Sequence, residues 1–329
     1  AEDQRNVSHM VRPEAQGGWG LDAVWADDFH HQLRRRLAGD HEAYYADYGG
    51  SMEELATTLR RGWFFTGQYS QHLRTPRGTD PSGVAPQRFV ICIQNHDQVG
   101  NRACGERLHH QIDLAVYRAA LVLLLCAPET PLLFMGQEWA ASAPFLYFTD
   151  HQPELGRLVT EGRRGEFAAF SAFTDPAARA RIPDPQDPAT FERSRLAWSE
   201  NGREPHASIL RLHRRLLALR RSEPALRSAT WNGFEVEPVE DAALLLCRTA
   251  SAAALRIVVQ LSGAGVVSLP AETGTRAATR WNPVLTTEDP DFSPDPHTIR
   301  CDLFGTRADV HFDRPGAVIL ASAPKGRLR

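Results

Sequence analysis

The run Phe89-Val-Ile-Cys-Ile93 is apolar at every position and then stops at Gln94-Asn-His-Asp-Gln-Val-Gly-Asn-Arg102. An unbroken apolar run suits a strand covered on both faces, as in a parallel sheet with helices outside it. The polar residues that follow, Asn95, His96, Asp97, Gln98, Asn101 and Arg102, read as the turn at that strand's C-terminal end, where barrel enzymes keep their chemistry. Alone, an Asn-His-Asp triplet is better read as capping. Here the pattern recurs.

Leu21-Asp-Ala-Val-Trp25 is a second short strand, and it empties into Ala26-Asp-Asp-Phe-His-His31. Adjacent aspartates before a helix serve readily as N-caps, and His30 and His31 lack any metal-ligand spacing, so they read as hydrogen-bonding groups. Leu132-Leu-Phe-Met135 is a third strand, running into Gly136-Gln-Glu-Trp139. Between these lie helical segments. Ser51-Met-Glu-Glu54 is a capping box opening a helix to about Arg60, and Leu114–Leu125 is apolar almost all round, as a buried helix is. Strands alternating with helices predict a parallel sheet. The Gly-rich stretch 16–20 reads as a loop.

From Ala140 to His206 the chain is irregular, with Pro153 and Asp187-Pro188 opening short helices, and so long an excursion predicts function. Helical period returns over Ile209–Arg221. After Pro224 the texture becomes short β-prone runs (234–238, 243–247, 255–260, 265–269, 318–320) separated by turn residues, which predicts an antiparallel sandwich with its boundary near 222–228.

A formal net charge of -3 gives no electrostatic footprint for nucleic acid. The longest apolar run, Ala119–Ala127, is far short of the ~20 residues a membrane span needs. Five widely spaced cysteines in mostly apolar surroundings read as reduced core residues, which favours the cytoplasm. The opening Ala1-Glu-Asp-Gln-Arg-Asn6 has neither an initiator Met nor a signal-peptide pattern, and reads as the middle of a larger protein.

If Glu2, Asp27, Asp28 and Asp97 lie at one end of a parallel sheet, the site has the paired carboxylates that glycoside hydrolysis requires. Asn95, His96 and Arg102 would donate to sugar hydroxyls. Trp25, Phe29, Trp139, Phe145, Tyr147 and Phe148 offer flat apolar faces, to a sugar ring or to the core. Nothing in the sequence calls for a cofactor.

Ala1-Glu-Asp followed later by Gln94-Asn-His-Asp-Gln-Val-Gly-Asn-Arg-Ala-Cys-Gly-Glu-Arg-Leu108 resembles the alpha-amylase superfamily of retaining glycosidases. Within it, Gln94–Leu108 and Leu21–His31 are similar to the hydrolases that act on malto-oligosaccharides ending in trehalose, while Pro131–Trp139 resembles the family's eighth strand with its exit loop and Leu217-Ala-Leu-Arg-Arg-Ser-Glu-Pro-Ala-Leu-Arg227 its passage into the C-terminal β domain. The resemblance implies an α/β chain forming strands 5 to 8 of a (β/α)8 barrel over 1–224, with an irregular insertion at about 140–205, then a small antiparallel β-sandwich over 225–329. It implies Glu2 as general acid/base and Asp97 as transition-state stabiliser, with His96 assisting. Substrate would be bound by Asn95, Gln98, Asn101, Arg102, Trp25, Asp27, Asp28, His30, His31, Gln137, Glu138, Trp139 and Tyr147. The implied reaction cuts the α-1,4 bond beside the terminal trehalose, with retention. The family's nucleophilic Asp lies on the fourth strand and matches no residue here, so the N-terminal half of the same enzyme is the implied partner. Branching or debranching chemistry, and non-catalytic glucan binding, are the alternatives.

Overall fold

The computed structural model describes residues 1–228, 230–251, 253–270, 281–304 and 307–322. Parts of the expected C-terminal domain, 271–280 and 323–329, fall outside them.

Three parallel strands form a small sheet in the order β1 (Val24–Trp25), β2 (Phe89–Ile91), β3 (Thr130–Pro131). Val24 pairs with Phe89, and Val90 with Thr130. The ladder is shorter than the apolar runs: Leu132 N–H still bonds Ile91 O at 2.8 Å, but 132–135 lie outside regular strand geometry. Beyond β1 the chain's first residue lies alongside, its amino group on Ala23 O at 2.7 Å and its carbonyl accepting from Trp25 N–H at 2.9 Å. Glu2 is thereby brought to the same end of the sheet as the residues leaving β1 and β2.

Helices α1 (Asp28–Leu37), α2 (Met52–Arg61), α3 (His96–Gly100) and α4 (Leu114–Cys126) follow in order. Ser51 Oγ caps α2 by accepting from Glu54 N–H at 3.1 Å, while the Glu54 carboxylate takes the N–H groups of Gly49 and Gly50, as the capping-box pattern foretells in outline. Gly62 ends α2 with φ +89°, a conformation that disfavours a side chain, and a Cβ there would meet the Phe89 ring at 2.4 Å. Nearly all of α4 is buried because it is packed from two sides. Each fully buried leucine there contributes roughly 1.5–3 kcal/mol, so a charge at Leu123 would break the packing. The excursion after β3 contains α5 (Pro153–Glu166), and α6 (His206–Ser222) packs against α4.

The C-terminal region has a five-stranded antiparallel sheet in the order β8-β11-β6-β5-β4, made from Phe234–Val239 (β4), Ala243–Ala250 (β5), Ala253–Gln260 (β6), Trp281–Thr286 (β8) and Gly316–Ser322 (β11). A three-stranded sheet, β9-β10-β7, uses Gly265–Leu269 (β7), Ile299–Phe304 (β9) and Arg307–Phe312 (β10). The run Ala243-Leu-Leu-Leu is continuous because both faces of β5 are covered. Leu244 and Leu246 join the core that contains α4 and α6, whereas Ala243 and Leu245 join Val267, Val310 and Phe312 of the smaller sheet. One hydrophobic cluster thus crosses the expected boundary near 222–228. Among the described residues, no helix is long and apolar enough to cross a membrane.

Candidate active site

A cavity of about 380 Å³ opens at the C-terminal end of the parallel sheet. Of the residues singled out in the sequence, Glu2, Asp27, His31, Asp97, Gln98 and Asn101 line it. They reach it from three places: the segment beside β1, the start of α1 after β1, and the start of α3 after β2. Asn95 is buried and closes the N-terminus of α3, its Oδ1 accepting from Gln98 N–H at 2.7 Å. That bond fixes the first turn, which carries Asp97, and Asn101 one turn later donates to the Asp97 carboxylate.

The cavity is strongly acidic. Burial and the neighbouring charges of Asp28, Asp97 and Glu2 push Asp27 up to about 6, with the Arg77 guanidinium acting the other way. Asp3, paired with Arg5 at 2.5 Å, is held below the ordinary carboxylate range by that hydrogen bond. Burial takes His31 down to about 3, so it stays neutral at pH 7 with Nδ1 at 3.0 Å from the Tyr48 hydroxyl. His30 is likewise shifted well down by burial. Among the described residues no cluster of His, Cys, Asp and Glu could hold a metal ion.

Several residues expected to touch substrate lie outside the cavity lining, most of them turned into the protein. Asp28 is wholly buried and accepts from Asn6 Nδ2, Tyr48 OH, Arg77 Nη2 and the backbone N–H groups of Phe64 and Phe65, at 2.6–3.1 Å. His30 is buried with Nδ1 on Ile93 O at 2.9 Å. Gln137 and Trp139 are buried, and the Trp139 N–H donates to Glu200 at 3.3 Å, so its indole is packing. Arg102 turns to Asp40 at 3.2 Å and Glu106 at 3.5 Å rather than to Asp97. His96 is exposed and meets the Trp25 ring edge to face at 5.8 Å. Glu138 is half-buried outside the cavity lining. Tyr147 is 38% exposed under the Arg163 guanidinium.

Other lining residues carried no sequence signal. Tyr44, His72, Leu73 and Arg77 come from irregular segments between α1 and β2. Phe167 and Phe170 come from the excursion, whose length was the one hint of function. Arg163 anchors α5 by donating to Gly100 O at 2.7 Å and Arg102 O at 2.9 Å, and Glu42 accepts from Ser171 N–H at 3.1 Å. These bonds set the two phenylalanines against the cavity as its apolar wall.

By fold the chain stands with the alpha-amylases. It superposes on a Salmonella typhimurium protein assigned as an alpha amylase with a TM-score of 0.77 at 30% identity, over 98% of this chain and 50% of that one. The alpha-amylase from H. orenii matches at TM-score 0.51 and 12% identity, a likeness of fold alone. No family model matches the chain. By sequence the chain belongs with the malto-oligosyltrehalose trehalohydrolases: it is 45% identical over 266 residues to that of Deinococcus radiodurans, 45% over 227 to that of Arthrobacter ramosus, and 35% over 222 to that of Saccharolobus solfataricus. These alignments cover 79%, 68% and 67% of this chain but 42%, 38% and 36% of the relatives, so the chain spans about four-tenths of the curated proteins it matches.

Proposed function

We propose that the chain is part of a retaining glycoside hydrolase that cleaves the α-1,4-glucosidic bond beside the terminal trehalose of maltooligosyltrehalose, releasing trehalose. The observation that carries this is the meeting of Glu2 and Asp97, with Asp27, in one cavity at the same end of adjacent parallel segments. Glu2 protonates the leaving oxygen and then, as a carboxylate, takes a proton from the water that hydrolyses the sugar intermediate. Asp97, aligned by the Asn95 cap and by Asn101, stabilises the sugar cation. Asp27, His31, Gln98 and Asn101 bind hydroxyls, and His96, exposed and in ring contact with Trp25, assists Asp97.

The architecture fits strands 5 to 8 of a (β/α)8 barrel over 1–224, followed by a β-sandwich over 225–329. Among the described residues no strand pairs with the parallel sheet beyond β3, where Leu132, Leu133 and Phe134 are half-buried and Met135 is 46% exposed. An open edge of that kind needs further strands to cover it. The N-terminal half of the same enzyme supplies them, together with the nucleophilic carboxylate. A cytoplasmic location accords with the unpaired buried thiols Cys92 and Cys126.

The test is a product assay with maltooligosyltrehalose on the complete polypeptide and on residues 1–329 alone. Trehalose release by the former only, with retained anomeric configuration, is the expected result. A complete polypeptide that hydrolyses or transfers glucans but frees no trehalose is a branching or debranching enzyme.

A further inference from the structure

Arg77 lies in a loop that no periodicity marks, yet all three of its side-chain nitrogens are engaged by protein. Nε donates to Gln4 O at 2.7 Å, Nη1 to Tyr48 OH at 2.7 Å and Nη2 to Asp28 Oδ1 at 2.9 Å. It is also the one guanidinium among the described residues lining the acidic cavity. Its mount is rigid. Asp28 takes five donors where a carboxylate offers about four lone-pair sites, and Tyr48, itself buried, bonds both Asp28 and Arg77. With three of its five N–H groups committed to the protein, one from each nitrogen, the guanidinium is held in place as part of the cavity wall.

What it holds is the segment that carries Glu2. Three successive contacts run between the two stretches: Arg77 Nε to Gln4 O, Gly78 N–H to Arg5 O at 3.0 Å, and Thr79 N–H to Asn6 O at 3.0 Å. Asn6 Nδ2 adds a fourth tie, to Asp28 at 2.6 Å. Gly78 lets the loop that makes these contacts run close against Phe65, since its φ is +86° and a Cβ there would lie 1.8 Å from Phe65 O. The Gln4 contact is the one nearest Glu2, and the only one of the three successive contacts made by a side chain.

We propose that Arg77, mounted on Asp28 and Tyr48, is a positioning residue that fixes the Glu2 carboxyl relative to Asp97 and Asp27 across the cavity. This rests on the reading of Glu2 as the general acid/base. Without the guanidinium, Gln4 O loses its donor, and the backbone on either side of Glu2 is held to its neighbours at Ala1 and at Arg5. A displacement near 1 Å of a reacting group costs about a hundredfold in rate.

The experiment is a double-mutant cycle in the complete polypeptide. Arg77→Gln should lower kcat by about a hundredfold while KM stays within about threefold, because a misplaced acid affects the transition state more than binding. Arg77→Lys, which can still donate to Gln4 O, should recover part of the loss. In a Glu2→Gln background Arg77→Gln should cost almost nothing further, since a group acting through Glu2 has nothing left to position. Tyr48→Phe, a milder change that keeps the ring, runs through the same cycle if Arg77→Gln fails to fold. An unchanged kcat, or a loss as large in the Glu2→Gln background as in the parent, overturns the proposal. Wild-type product identity reports separately on the functional reading, and the cycle is run on whichever glucan the wild type cleaves.

Discussion

Arg118 Nη2 and Glu288 Oε1 are 2.6 Å apart with both side chains buried, and this pair ties α4 to the segment that follows β8. Glu288 also accepts from Arg314 Nη2 at 2.7 Å and from His297 N–H at 2.9 Å. The carboxylate therefore stitches the helical region to the antiparallel sheets.

Removing one partner of such a pair leaves the other charged and dry. Glu288→Ala should destabilise the protein by about 3–5 kcal/mol. Arg118→Met, which fills the same space without a charge, still strands the carboxylate on one side but leaves it Arg314, so its cost should be smaller. Urea denaturation of the two variants checks the order; equal costs below about 1 kcal/mol would show that the pair is irrelevant to folding.

Glu129 makes the opposite kind of contribution. It is wholly buried, its carboxyl oxygens have no hydrogen-bond partner outside the residue, and burial pushes it up to about 8 despite its own backbone N–H and the nearby Arg248 and Arg220, which favour the anion. The unfolded chain releases this proton near the ordinary value of about 4.3. Between those values the folded state binds the extra proton, so this stability is fullest below the lower value and is lost as pH rises towards about 8. The slope approaches about 1.4 kcal/mol per pH unit. Glu129→Gln should flatten Tm between pH 5 and 8 and raise it at pH 8; parallel Tm curves for the two proteins would refute the assignment.

Glu2→Gln and Asp97→Asn test the chemistry directly. Each should lower hydrolysis by orders of magnitude in the complete polypeptide while glucan binding, read by calorimetry, changes little. A variant with unchanged turnover removes its residue from the mechanism.

How far the sequence spoke can be judged residue by residue. The strand at Phe89–Ile91 and the buried helix Leu114–Cys126 were legible because burial on all sides leaves an unbroken apolar run. Asp27 and Asp28 look alike in sequence, yet one lines the cavity and the other is wholly buried, because adjacent positions at a helix start point about 100° apart. Trp139 had the aspect of a sugar platform and packs inside. Arg77 was invisible, since its partners Gln4 and Asp28 lie 73 and 49 residues away. The strand Trp281–Thr286 escaped notice because Pro283 sits within it, tolerated at a register shift on a sheet-edge strand.

Asp27 supplies a test by pH. With its carboxyl pushed up to about 6, it is protonated in mildly acid solution and anionic at neutrality. The groups around it are Asp28, Asp97, Glu2 and Arg77, and three of these four are carboxyls that resist its ionisation. In the proposed reaction the ionised carboxylate accepts hydrogen bonds from sugar hydroxyls and adds negative charge beside a developing sugar cation. kcat/KM should therefore rise through about pH 6, and Asp27→Asn should remove that step and hold the rate at its acid-side level. At pH 7 the loss should be on the order of ten- to a hundredfold, matching one charge-assisted hydrogen bond of about 1.5–3 kcal/mol. Because the carboxyls are coupled, the value observed belongs to the group rather than to Asp27 alone, so the diagnostic reading is the disappearance of the step in the variant. A step that survives unchanged in Asp27→Asn would assign it to another carboxyl of the cavity.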